Sequence, residues 1–169
     1  MAMTAMTDLR TALAEVPDPE IPVLSIEDLG VLRDVSVDAA GKVTVTITPT
    51  YSGCPAMDAI RDSILGVLRR HGHHDVCVRT VLAPAWSTDW ISEAGKRKLR
   101  EFGIAPPGPA PRGPVFLELR APASGGPDVR CPRCGSADTR ELSRFGSTAC
   151  KSLWACKTCR EPFDLFKAI

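Results

Sequence analysis

Two pairs of cysteines near the C-terminus, Cys131-x2-Cys134 and Cys156-x2-Cys159, constrain this chain more than any other feature. Two sulfurs three positions apart on a tight turn can both reach one ion at about 2.3 Å, and a second such turn completes a closed tetrahedral four-thiolate shell. The 21 residues between the pairs lie one beyond the usual spacing of about 15–20, which a loop absorbs. The pattern predicts a zinc ribbon with structural Zn2+ on Cys131, Cys134, Cys156 and Cys159, and iron as the competing metal in the same cage. Gly135, directly after the first pair, suits the positive φ of a metal-binding knuckle, while Arg160 in the matching place suits it less. The tail has few large apolar side chains, Leu142, Phe145, Leu153, Trp154, Phe163, Leu165 and Phe166, so a fold of that size needs a staple, which the metal supplies.

The chain has seven cysteines, an odd number, and its N-terminus does not combine a positive n-region with an apolar h-region. Structural disulfides are therefore not expected; metal or thiol chemistry in a reducing, cytoplasmic setting is. No apolar run approaches the roughly 20 residues of a spanning helix. A net charge of +1 gives no global field to attract nucleic acid or an anionic membrane, so neither is an expected partner. With 44% hydrophobic and 24% charged residues, the chain can bury a core, and its 169 residues fit one ordinary domain plus a small appendage.

Periodicity supplies the elements. Leu9, Leu13 and Val16 form a helical stripe over Asp8 to Val16 with Thr7 as N-cap, and Pro17, Pro19 and Pro22 end it. Ser25 to Asp28 can form one helical turn closing at Gly30. Val31 to Val37 and Lys42 to Thr48 read as antiparallel strands around a turn at Asp38 to Gly41. Met57, Ile60, Ile64 and Val67/Leu68 mark a helix after Cys54-Pro55 that ends near Gly72, with Asp58 and Arg69, Arg70 and His71 placed to suit its dipole. A third strand runs through Val76 to Leu82, and Thr88 to Phe102 reads as a helix with Trp90, Ile91, Leu99 and Phe102 as apolar members. The prediction is an α+β fold: a small mixed sheet packed with helices over 1–104, a Pro/Gly-rich linker over 105–127 with one short strand at Val115 to Leu119, and a β-rich zinc ribbon over 128–169.

A second site centres on Cys54. At the start of a helix, unpaired N–H groups and the macrodipole favour thiolate over thiol, which suits a nucleophile or a soft metal ligand. A buried, inert cysteine fits the same position, and position alone does not decide. Cys77 lies within a strand pattern and reads as packing or inert surface, and Cys150 as a small buried residue of the ribbon. His71, His73 and His74 read as a solvated cluster favouring the helix C-terminus. Trp86 and Trp90, four apart, read as core packing rather than a docking anchor.

Three stretches are familiar: DPEIPVLSIEDLGV from Asp18, TPTYSGCP from Thr48, and APAWSTDWIS from Ala83. The first two resemble the α+β domain of SufT-like iron–sulfur assembly factors. All three, with the tail CPRCGS…STACKSLWACKTCREPFDLFK, resemble the PaaD (PaaJ) family, accessory subunits of the bacterial phenylacetyl-CoA epoxidase system. The resemblance implies a non-catalytic role in aerobic phenylacetate catabolism, where a di-iron oxygenase is fed electrons by a reductase carrying flavin and a [2Fe–2S] cluster. It implies as partners the reductase, the oxygenase subunits and the iron–sulfur assembly machinery. The family's reactive cysteine falls on Cys54, with transient Fe or an Fe–S cluster there, and its acidic box on Asp18 and Glu20. For those two carboxylates, turn-building and a part in the chemistry stand side by side.

Two other functions compete. A thiol-dependent transferase using Cys54 wants a base, yet the histidines sit about 25 Å away along the same helix. A nucleic-acid-binding ribbon would use Arg133, Arg140, Arg144, Lys151, Lys157 and Arg160 beside Phe145 and Trp154, but the excess of positive charge is small.

Overall fold

A computed structural model describes residues 2–51, 53–110 and 129–169. The strand expected at Val115 to Leu119 and most of the expected linker lie outside these residues. The chain divides into two compact units, Met1–Gly95 and Lys96–Ile169, and the architecture is the expected α+β one.

In the first unit, α1 (Ala2–Leu13) is followed by the strands β1 (Leu32–Val37) and β2 (Val43–Ile47), the helix α2 (Ala56–Arg70) and the strand β3 (Val76–Thr80). β1 pairs antiparallel with β2 and β2 pairs parallel with β3, which makes the predicted mixed sheet. Val43, Val45 and Ile47 are fully buried, and the threonines between them face the other side, so a period of two is satisfied by a one-sided core. β1 alternates only in part because a bulge between Leu32 and Asp34 shifts its phase. On α2 the buried stripe is Ala56, Ile60, Ile64, Val67 and Leu68, the spacing of one helical face.

Two helices depart from expectation. α1 begins at Ala2, so Thr7 lies inside it rather than capping it; alanine and methionine before Thr7 are strong helix formers and carry the helix back. The single helix expected over Thr88 to Phe102 is two pieces, a 3-10 turn at Thr88–Trp90 and α3 (Glu93–Phe102). Ile91 is extended, and the Ser92 hydroxyl accepts from the Gly95 N–H at 2.9 Å, an N-cap that restarts the helix. Phe102 is 56% exposed and is not the core member its spacing suggested.

The stretch APAWSTDWIS folds onto the loop that contains the first familiar stretch. The Trp86 indole N–H donates to the Leu29 carbonyl at 2.9 Å, and the Ser92 N–H donates to the Asp28 carbonyl at 2.9 Å. Asp28 binds both ends of this junction: Oδ2 accepts from the Ser25 N–H and Oδ1 from the Ser92 hydroxyl. Gly30 has φ +69, and a Cβ there would meet Trp90 at 2.7 Å. Only glycine meets both demands. Trp86 is thus a core residue, and Trp90 lies half-buried under the Arg33 guanidinium, 3.6 Å from ring centre.

In the second unit, β5 (Thr139–Ser143), β6 (Lys151–Cys156) and β7 (Pro162–Phe166) form an antiparallel set, and the short strand β4 (Ile104–Ala105) adds in parallel to β7. Ala105, expected to open the linker, instead pairs in this sheet and is buried; the prolines that follow prevent the strand from extending. The core gathers Ala105, Val129, Cys131, Trp154, Cys156 and Phe163. Leu142 and Phe145 are exposed, which leaves this core even smaller than composition suggested.

Candidate functional site

The four tail cysteines converge. Cys131 Sγ lies 3.7 Å from Cys159 Sγ, Cys134 Sγ lies 3.6 Å from Cys156 Sγ, and all four sulfurs fall within 4.8 Å of one another. A tetrahedron with arms of about 2.3 Å has edges of about 3.8 Å, so the two short sulfur separations match the edge of a zinc cage. Both loops are built alike: the Cys131 N–H bonds to the Ser136 carbonyl at 2.9 Å and the Cys156 N–H to the Glu161 carbonyl at 3.0 Å. Gly135 takes φ +75 and Arg160 takes φ +64, making Arg160 the one non-glycine residue at positive φ among the described residues. The knuckle geometry forces that conformation on an arginine.

Electrostatics agree with a metal shell. Backbone N–H groups of Cys159 and Thr158 point at the Cys156 sulfur and hold its pKa down to about 6. Cys159 receives the Glu161 N–H, yet burial and the neighbouring thiols push it up to about 12. Without a cation the cage does not accommodate a full set of thiolates, whereas a dication compensates their charge. Among the described residues, these four form the one group of His, Cys, Asp or Glu side chains close enough to hold an ion. Cys150 stands apart from it, buried, with the Thr148 hydroxyl 3.0 Å from its sulfur.

Cys54 is half-buried at the entry to α2. The Cys54 N–H closes a turn onto the Tyr51 carbonyl at 3.3 Å, with Gly53 at φ +84. Pro55 is the N-cap and offers no side-chain cap, so the orphan N–H of Ala56 reaches the Cys54 sulfur instead. The expected low-pKa thiolate is not what results. Burial comes first and raises the thiol above its ordinary value of 9.0; the Ala56 N–H lowers it, Glu20 raises it, the Tyr51 hydroxyl lowers it and Asp18 raises it. Helix-start donors are outweighed by desolvation and by two nearby carboxylates, whose charge opposes a thiolate.

The structure therefore brings Asp18, Glu20 and Cys54 within electrostatic reach of one another. Asp18 is also a turn-builder: its Oδ1 accepts from the Glu20 N–H at 2.9 Å and the Ile21 N–H at 2.8 Å. Tyr51 is the residue sequence reasoning missed. Its place three positions before Cys54, across a glycine, is the only hint the sequence carries. His71 caps the C-terminal end of α2, and His71, His73 and His74 follow the helix away from Cys54, as solvated residues should. Cys77 sits half-exposed in β3.

An α+β domain with a thiol at a helix entry, followed by a four-thiolate ribbon, defines a protein with two separate thiol sites. The iron–sulfur cluster assembly protein family matches residues 6–78, and the PaaD zinc beta ribbon domain matches residues 119–167. Over 93% of this chain and 89% of the relative, the sequence is 46% identical to a putative 1,2-phenylacetyl-CoA epoxidase subunit of Escherichia coli (strain K12). It is 39% identical to an Fe-S protein maturation auxiliary factor of Porphyromonas gingivalis (strain ATCC BAA-308 / W83), over 54% of this chain and 88% of the relative. A solved structure of a domain of unknown function, DUF59, from Bacillus anthracis superposes with a TM-score of 0.55 at 29% identity, covering 58% of this chain and 93% of that one. The chain belongs to the PaaD family. No helix among its described residues is long and apolar enough to cross a membrane.

Proposed function

We propose that this chain is a non-catalytic accessory protein of a phenylacetyl-CoA epoxidase (ring 1,2-epoxidase) system that assists iron–sulfur cluster assembly on the system's reductase subunit. The observation that carries the reading is the environment of Cys54, a single thiol apart from the closed ribbon cage, with N–H and O–H donors on its sulfur and two carboxylates nearby. Carboxylates that oppose a bare thiolate favour a cation. An arriving iron ion therefore displaces the thiol proton to solvent as the S–Fe bond forms, so the thiol is neutral at rest and ionises on loading. One thiolate occupies one corner of the cargo and leaves the other positions to the cysteines of a client, whereas four thiolates retain their ion. Cys54 hands over; the ribbon, holding Zn2+ on Cys131, Cys134, Cys156 and Cys159, keeps the tail folded.

The similarity to a phenylacetyl-CoA epoxidase subunit and to maturation factors supports the accessory role. Partners on this reading are the reductase, the oxygenase subunits and the iron–sulfur assembly machinery. Co-production of the reductase with wild type and with Cys54→Ser tests it. The variant should fold and keep its zinc while the reductase loses most of its [2Fe–2S] absorbance; equal occupancy in both would rule out the transfer role.

A further inference from the structure

Phe145 is the most exposed large apolar side chain among the described residues, at 75%, although the tail is short of core-forming residues. Its position is fixed. The Phe145 N–H donates to the Ser143 hydroxyl at 3.1 Å, and the next N–H, of Gly146, donates to the Lys151 carbonyl at 2.9 Å. A Cβ on Gly146 would come within 3.1 Å of Lys151, so the two segments cross closely beside the ring. Beside the ring lies a groove of about 440 Å³ whose apolar wall includes Trp154 and Leu165 and whose rim carries Arg144, Lys167 and Glu141. The Lys167 ammonium stands 5.1 Å from the Phe145 ring centre.

Charge indicates what such a groove accepts. Residues 129–169 hold eight Lys and Arg against four Asp and Glu, and two of those acids already pair, Asp164 with Lys151 at 3.5 Å and Asp138 with Lys157 at 2.9 Å. An exposed aromatic on a rigid turn, beside an apolar groove with a cationic rim, is the arrangement of an interface anchor. Nucleic acid is the poorer fit: Trp154 is buried with its indole N–H bonded to the Ser152 hydroxyl, so among the described residues the groove offers Phe145 no second exposed ring on which a base could stack.

We propose that the Phe145 groove is a protein-docking site for an acidic segment of a partner that inserts an apolar side chain against Phe145 and Leu165 while its carboxylates meet Arg144 and Lys167. The site is separate from Cys54 and specifies how a partner is held, not what is transferred; it rests on the accessory-protein reading only for the partner's existence.

The test uses the full, zinc-loaded chain and a fluorescein-labelled peptide with leucines set among aspartates and glutamates, read by anisotropy. Wild type should bind it, with affinity falling as salt rises. Phe145→Ser and the pair Arg144→Glu, Lys167→Glu should each weaken binding about tenfold or more with zinc content unchanged, while Cys54→Ser should bind as wild type does. Binding unaffected by both groove variants would overturn the proposal. So would tighter binding of a single-stranded oligonucleotide than of the peptide, or self-association that Phe145→Ser abolishes, which would assign the groove to a second copy of the chain. Loss of cluster transfer in Cys54→Ser with an intact groove, or the reverse, keeps the two readings distinguishable.

Discussion

Cys54 shows how few ångströms separate a reactive thiol from a guarded one. The donors expected of a helix entry are present, but partial burial, with the carboxylates of Glu20 and Asp18 adding to it, outweighs them. Alkylation of Cys54 by iodoacetamide should therefore be slow at neutral pH and rise at alkaline pH, with its midpoint above the ordinary thiol value. Because a negative neighbour raises a thiol pKa, Glu20→Gln and Asp18→Asn should move the midpoint down; asparagine keeps the Oδ1 acceptor that Glu20 and Ile21 use. Because a donor stabilises the thiolate, Tyr51→Phe should move it up. The pH profile of the alkylation rate checks all three signs. The knuckles carry a second residue-scale prediction. A Cβ at Gly135 meets no neighbour within 4 Å, so Gly135→Ala isolates the backbone cost of positive φ and should lower ribbon stability by about 1 kcal/mol. Arg160→Gly should leave thermal stability unchanged or raise it. The four clustered cysteines were legible because coordination imposes a spacing on the chain. The state of Cys54 was not, since it depends on groups more than thirty positions away.

The elements were legible where a one-sided core imposes a period, as in β2 and α2, and illegible where a tertiary bond breaks it. Over Thr88 to Phe102 the apolar spacing is helical, but Ser92 bonds to Asp28 and caps a new helix, a contact no local pattern announces. The same junction makes a testable demand on Gly30. Gly30→Ala adds a positive-φ penalty to a clash with Trp90 and should destabilise the first unit by about 3 kcal/mol. Trp86→Phe leaves the Leu29 carbonyl without its indole donor and should cost about 1–2 kcal/mol. Shifts in urea midpoint at unchanged slope would measure both. Phe145 and Leu142 illustrate the converse: apolar residues in a core-poor tail that the fold leaves outside, a fact about the surface that composition cannot carry.

At the scale of the whole molecule, the proposed function assigns retention to one thiol site and transfer to the other. Among the described residues the ribbon core gathers Ala105, Val129, Cys131, Trp154, Cys156 and Phe163, little apolar burial for a unit of this size to fold without a staple. Chelation should release amide protection over residues 129–169 and leave that of β2 and α2 in place, as hydrogen exchange before and after zinc removal would report; uniform protection would contradict the stapling role. Zinc affinity should weaken on acidification, since the ligands must shed protons to bind. The central claim is that one sulfur loads iron while four others hold zinc. Anaerobic metal and sulfide analysis of wild type beside Cys54→Ser tests it most directly. The account predicts about one zinc per chain in both proteins and labile iron in wild type alone; equal iron in the two, or iron in place of zinc in the ribbon, would contradict it.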